Sequence, residues 1–248
     1  MGHSSEGISL RFINNGLILR SGMSGAFTLL QVFIRLFLIF VFAYIIYFIV
    51  TKAFREMGFS SVGGILIVFI AYLFRFPIVI NGIDISNIYL FSYNNWHIFI
   101  NMGGAVIPLI LSAYLILKNK LSFARIVFGV GIVTVVTYSV THPVADKGIV
   151  SPFPYFLLPA IFASATSIIM YWKERFKAAP LAYTSATIGV LIGADFLHLP
   201  ELLLYEIDHS VAAVIGGAVV LDMIFITGII AVFIDSILLV KKRREGIT

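Results

Sequence analysis

Seven apolar runs alternate with short polar links along most of this chain. They fall at about residues 29–51, 61–80, 97–117, 122–141, 153–172, 181–204 and 211–240. Each approaches or exceeds the roughly 20 residues that a helix needs to cross the hydrocarbon core of a bilayer. The pattern predicts an all-α, polytopic membrane protein of seven transmembrane helices. The last run is longer than a crossing requires and is expected to tilt or project. Three blocks follow: residues 1–28 as a tail that either lies along the membrane surface or hangs free, 29–240 as one transmembrane domain, and 241–248 as a basic cytoplasmic tail. No link is long enough for a second domain, and no internal repeat is visible.

Charge placement orients the predicted bundle. With seven spans, one side receives Lys52, Arg55, Lys118, Lys120, Arg125, Lys173, Arg175, Lys177 and Lys241–Arg244, which is 12 of the 17 basic residues. The other side receives Arg11, Arg20 and Lys147, while Arg35 and Arg75 fall within spans. Basic residues concentrate on the cytoplasmic side. The expected N-terminus is therefore outside, the C-terminus cytoplasmic, and the location the cell membrane. Tyr89, Tyr93 and Trp96 in an outer link fit an interfacial aromatic belt.

Composition narrows the chemistry. The chain of 248 residues is 60% hydrophobic and 12% charged. That is too little polar surface to clothe a soluble domain of this size. It has no Cys, which excludes disulfides, thiolate catalysis and Cys-ligated metals. The segment 1–28 lacks a clean apolar core followed by a small-residue cleavage site, so no cleavable signal is expected. Nothing points to nucleic-acid binding, and no cofactor is implied. The expected surroundings are the lipid bilayer, with a membrane-embedded peptide or a small solute as ligand. Association into an oligomer is compatible with the sequence.

Two carboxylates stand out because each lies deep in apolar sequence. Asp195 lies nine residues before Leu204 and Asp222 eleven residues after Val211. At the helical rise these separations are roughly 13 Å and roughly 16 Å. On antiparallel helices the two acids would share a level in the membrane. An acid at the centre of a span costs roughly 2.5–3.5 kcal/mol on insertion scales and is a functional candidate. Two carboxyls that share a site hold one proton between them, so one can act as base on water while the other donates to a carbonyl. An intramembrane aspartyl hydrolase is the leading expectation. Passage of an ion or small solute by the same acids with Arg35 or Arg75 is the alternative, and breaks in the helices at the site would favour it. A non-catalytic scaffold, with arginines pairing the acids, is the third reading.

Secondary candidates surround the pair. His198 shares a helix face with Asp195, and His142 and Asp146 lie in an outer link as further binding or charge partners. Three ligands without a second nearby His make a thin metal site, so no metal is expected. Gly189 and Gly193, at small-xxx-small spacing, and the pair Gly216–Gly217 are expected to let helices approach closely. Asp235, just before the basic tail, reads as a residue near the cytoplasmic headgroups.

Three motifs carry a resemblance to a known family. They are Asn101-Met102-Gly103-Gly104-Ala105-Val106-Ile107-Pro108, then Gly131–Thr137 followed by His142-Pro143-Val144, then Leu181–Asp195 with Gly216-Gly217, Asp222 and Gly228. In this order they resemble a family of polytopic bacterial and archaeal membrane proteins labelled as a domain of unknown function, over roughly residues 60–240. The resemblance implies a helical membrane fold and no particular activity. One departure is Met223, where the family pattern has a glycine after the acid. The architecture also resembles, more distantly, intramembrane aspartyl proteases of the presenilin and signal-peptide-peptidase type. Their Tyr-Asp, Gly-x-Gly-Asp and Pro-Ala-Leu motifs find only approximate counterparts in Leu221-Asp222, Gly193-Ala194-Asp195 and Pro159-Ala160-Ile161.

Overall fold

The computed structural model describes residues 6–144, 148–217 and 223–244, with side chains between 28 and 238. The chain divides into two compact units, residues 1–48 and 49–248. The first unit is one stretch of a long helix, α1 (Glu6–Glu56), and from Thr28 to Phe48 every residue is exposed. Phe33, Phe37, Phe40 and Phe42 are each more than half exposed, a surface suited to hydrocarbon rather than water.

The second unit holds the rest. It contains α2 (Ser61–Leu73), α3 (Ile107–Asn119), α4 (Phe123–Val140), α5 (Leu158–Met170), α6 (Ala178–Val190), α7 (Leu197–Leu203) and α8 (Met223–Arg244). A π-helical turn, Leu191–Phe196, joins α6 to α7, and another, Met102–Val106, leads into α3. With α6 and α7 taken as one run, the described residues form seven helical segments, one for each apolar run. Four are long and apolar enough to cross a membrane: Thr28–Glu56, Met102–Asn119, Phe123–Val140 and Arg175–Leu203.

The central helix is α6. Twelve of its thirteen residues are buried, and it packs against α3, α4, α5 and α8. Its small residues make that possible. A Cβ at Gly189 would sit 2.6 Å from the Val133 side chain of α4, and one at Gly129 would sit 3.1 Å from Ser185. From the other side, a Cβ at Gly228 of α8 would meet Thr187 Oγ1 and the Tyr183 ring at 2.8 Å. Close backbone approach of this kind serves where side-chain dispersion and packing, rather than water exclusion, hold helices together.

The expectation of an all-α chain is corrected in part, because three apolar runs begin or end as strand. The run 61–80 stops being helical at Leu73 and turns into a hairpin of β1 (Val79–Ile80) and β2 (Ile83–Asp84). Asn81 and Gly82 both have positive φ, the geometry of the type I′ turns that Asn-Gly favours. The run 97–117 opens with a strand, β4 (Trp96–Asn101), which pairs antiparallel with β3 (Asn87–Tyr93). A further hairpin joins β5 (His142–Val144) to β6 (Gly148–Val150). The run 211–240 is not one long helix: β7 (Val211–Ile215) pairs parallel with β4, and α8 begins at Met223. The three-stranded order is β3-β4-β7. Short apolar strands and buried helical segments share one hydrophobicity pattern, so periodicity alone does not separate them.

Asn101 makes the strand-to-helix change at β4 possible. Its Oδ1 accepts from Gly104 N at 2.9 Å, capping the π turn. Its amide donates to Phe74 O, Ser86 O and Asn87 Oδ1 at 3.1, 3.2 and 2.9 Å. One side chain thus ties the end of α2, the β2–β3 link and the start of α3 together. Ser86, itself fully buried, accepts from Ile78 N and donates to Phe76 O. Asp84 caps the same link by accepting from Ser86 N and Asn87 Nδ2. Burial works to raise the Asp84 carboxyl, but hydrogen bonds from Ser86, Asn87 and Ile78 outweigh it and hold the group below the usual carboxylate range.

Candidate functional site

The π turn between α6 and α7 is where the central helix stops being regular. Pro200, inside α7, has no N–H to offer Phe196 O, and its ring would crowd that carbonyl in a regular helix. The widened turn upstream relieves the conflict, and Leu197 N reaches back five residues to Ile192 O. The turn before Pro108 is built in the same way, with Ile107 N bonded to Met102 O. Single π turns of this type recur at functional sites. Here the turn carries Asp195.

Asp195 is half-buried and lines a cavity of about 360 Å³. One wall is all of β7 with Gly216 and Gly217. Trp96 and Ile98 of β4 form a second wall, and Val190 of α6, Ala194 of the π turn, and Leu199 and Leu202 of α7 contribute a third. Thr141 and Ser151 also line it, with Gly148 and Ile149. Both hydroxyls already donate into the end of α4, Thr141 Oγ1 to Thr137 O at 2.7 Å and Ser151 Oγ to Val140 O at 2.9 Å. As hydroxyl oxygens they can still accept a hydrogen bond. Among the described residues that line the cavity, Asp195 is the one ionisable group.

Tight packing holds Asp195 in place. A Cβ at Gly193 would fall 2.6 Å from Thr134 O and 2.8 Å from Thr137 Cβ, so the π turn rests directly on the α4 backbone. Gly189 and Gly193 therefore dock the central helix on α4. Gly216, at φ +72°, lies against Ala105, where an added Cβ would be 2.7 Å from both Ala105 N and Cβ. A Cβ at Gly217 would meet Val214 of its own strand at 2.5 Å. Residues of all three motifs thus converge at or beside one cavity.

The other candidate residues are distributed as follows. Asp222 and Asp146 lie outside the described residues; Gly217 and Met223, which flank the segment containing Asp222, both line the cavity. His198 is buried within a cluster of its own rather than on the cavity wall. Its ring stacks on Tyr138 with centroids 4.4 Å apart, and its Nε2 donates to Tyr138 O at 3.3 Å. Its Nδ1 lies 3.2 Å from Glu201 Oε2, and Tyr138 OH donates to Glu201 Oε1 at 3.0 Å. His142 is exposed on β5, Arg35 is exposed on the first unit, and Arg75 is partly buried just after α2. Among the described residues, neither Arg75 nor His198 lines the cavity, and no group of three His, Asp or Glu side chains could hold a metal ion.

Asp235 reads from sequence as a headgroup residue, but the structure buries it completely. Ser167 Oγ of α5 donates to its Oδ1 at a long 3.4 Å, while Oδ2 has no protein partner among the described residues. The hydroxyls of Ser164 on α5 and Thr184 on α6 are likewise buried without a hydrogen bond there. The signal is present in the spacing: Gly228, Val232 and Asp235 recur on one helical face, the face that Gly228 presents to Tyr183 and Thr187.

The chain belongs to the DUF1614 family, described as proteins of unknown function, whose model matches residues 75–234 and so spans all three motifs. No curated protein matches the chain. No solved structure matches it either.

Proposed function

We propose that this member of the family is a multi-pass protein of the cell membrane, with seven spans, its N-terminus outside, and an aspartyl hydrolase site within the bilayer. The observation that carries the reading is Asp195 on its π turn, lining a cavity whose wall also includes Met223, the residue after Asp222. In this reading the two carboxyls share a proton. The ionised one takes a proton from water as the water oxygen attacks an amide carbon, and the protonated one gives its proton to the carbonyl oxygen. Collapse of the resulting diol breaks the C–N bond, and the amine leaves with a proton. Thr141 and Ser151 supply acceptors for the attacking water. The apolar walls suit a membrane-embedded peptide.

The test is cleavage of labelled transmembrane peptides by the purified protein in liposomes. Asp195→Asn and Asp222→Asn should each lower the rate by about 10²-fold or more, the scale of a lost acid or base. Undiminished cleavage by either variant would remove the hydrolase.

A second reading, passage of a small ion, is favoured by the breaks in the helices and by Asp235, one of whose oxygens has no protein partner among the described residues. Ion flux measured in the same liposomes separates the two. Flux lost in both Asp195→Asn and Asp235→Asn, without peptide cleavage by the native protein, would make transport the function.

A further inference from the structure

We infer that the outer edge of β7 receives an extended peptide segment as the fourth strand of the β3-β4-β7 sheet and so lays that peptide across the cavity beside Asp195. The inference rests on the hydrolase reading for the identity of the peptide as a substrate.

The direction of each β7 peptide group follows from one hydrogen bond. Val211 N donates to Asn95 O at 2.9 Å, so the Val211 main chain faces β4. Main-chain groups of successive strand residues point to opposite sides. Ala213 and Ile215, which pair with Ile98 and Ile100, therefore also face β4, and Ala212 and Val214 face away. A second bond agrees: Val214 O is taken by Gly217 N at 3.0 Å, in the turn that ends the strand. That leaves Ala212 N–H, Ala212 C=O and Val214 N–H on the outer edge. Among the described residues β7 pairs with β4 alone.

This strand carries no proline or lysine of its own. Exposed edges are commonly blunted by a proline, a lysine, a bulge or a covering helix. Val211–Ile215 contains only valine, alanine and isoleucine, and Ala212 is exposed. The strand lines the cavity along its whole length, and Asp195 lines the same space. A donor–acceptor–donor row of this spacing matches the main chain of an extended peptide. Cleavage chemistry needs that form too, since a helical segment keeps its carbonyls hydrogen-bonded and shielded.

Binding can be read without cleavage. The probe is a fluorescent apolar peptide from a transmembrane segment, bound to the full-length Asp195→Asn protein in nanodiscs, with single N-methyl groups walked along it. Strand addition requires that N-methylation weaken binding at one residue, the one whose N–H meets the single outward acceptor Ala212 C=O, by about fivefold to tenfold for the lost ladder bond. Ala212→Pro removes an outward N–H while leaving the β4 ladder intact, and should weaken the unmethylated peptide to a similar extent with an unchanged melting temperature. A uniform or absent methylation effect overturns the inference, as does a folded Ala212→Pro protein that binds like its parent. If Ala212→Pro does not fold, the methylation walk decides alone. A single sensitive position with no cleavage by the native protein keeps strand addition and removes the hydrolase. Cleavage without that single sensitive position does the reverse.

Discussion

Gly193→Ala probes the contact that positions the candidate acid. The added Cβ would sit 2.6 Å from Thr134 O and 2.8 Å from Thr137 Cβ, where ordinary contact begins at 3.4 Å. The π turn and α4 must therefore move apart by the several tenths of an ångström that separate these values, and one of the two atoms in the way is main chain that no rotamer change can move. Inserting a methyl group into packing this tight costs about 1–3 kcal/mol. For a chain of this size that corresponds to a fall of roughly 2–12 °C in melting temperature. Gly131→Ala is the matched control, because it lies exposed in α4 with nothing within 4 Å of its added Cβ. There the change should stabilise by about 0.5–1 kcal/mol through helix propensity. Thermal unfolding of both variants in one detergent measures the contrast, and under the proposed hydrolase function peptide cleavage should fall in Gly193→Ala because Asp195 is two residues on. If Gly193→Ala melts with the parent protein, or Gly131→Ala falls as far, the account of the α4 contact is wrong.

Two further predictions concern the link that launches α3. Asn101→Ala leaves the buried Gly104 N–H without its acceptor and Phe74 O and Ser86 O without this donor. Ser86 O keeps its bond from Met102 N at 2.8 Å, so at about 1–3 kcal/mol for each of the two groups left unpaired the change should cost about 2 kcal/mol or more, read from chemical denaturation. Asp84 is held below its ordinary value of 3.8, so its stabilisation is present above that value and is lost as pH falls through the lower folded one. Melting temperatures taken from pH 6 to 3 should therefore fall more steeply for the native protein than for Asp84→Asn, and parallel curves would show that Asp84 is not the group responsible.

Much of the architecture is legible in the chain itself. Seven apolar runs correspond to seven helical segments, since long stretches with almost no charge leave few ways to satisfy the backbone except a helix. Asp195 can be singled out because a carboxylate in such a run carries a cost that demands a reason. Other local signals are equally readable. Asn81-Gly82 between apolar pairs is a hairpin signal, and Gly228, Val232 and Asp235 lie on one face at helical spacing. The rest depends on partners far along the chain. Nothing local tells Val211–Ile215 to be a strand: valine, alanine and isoleucine suit a buried helix equally, and only the waiting edge of β4 decides. Likewise Pro200 announces a disturbance, but its resolution as a π turn needs the α4 backbone against Gly193. The cavity exists only where these two irregularities meet. Local composition determines which segments leave water; the choice between helix and strand within them, and the space an acid comes to line, follow from hydrogen bonds and contacts that close only in three dimensions.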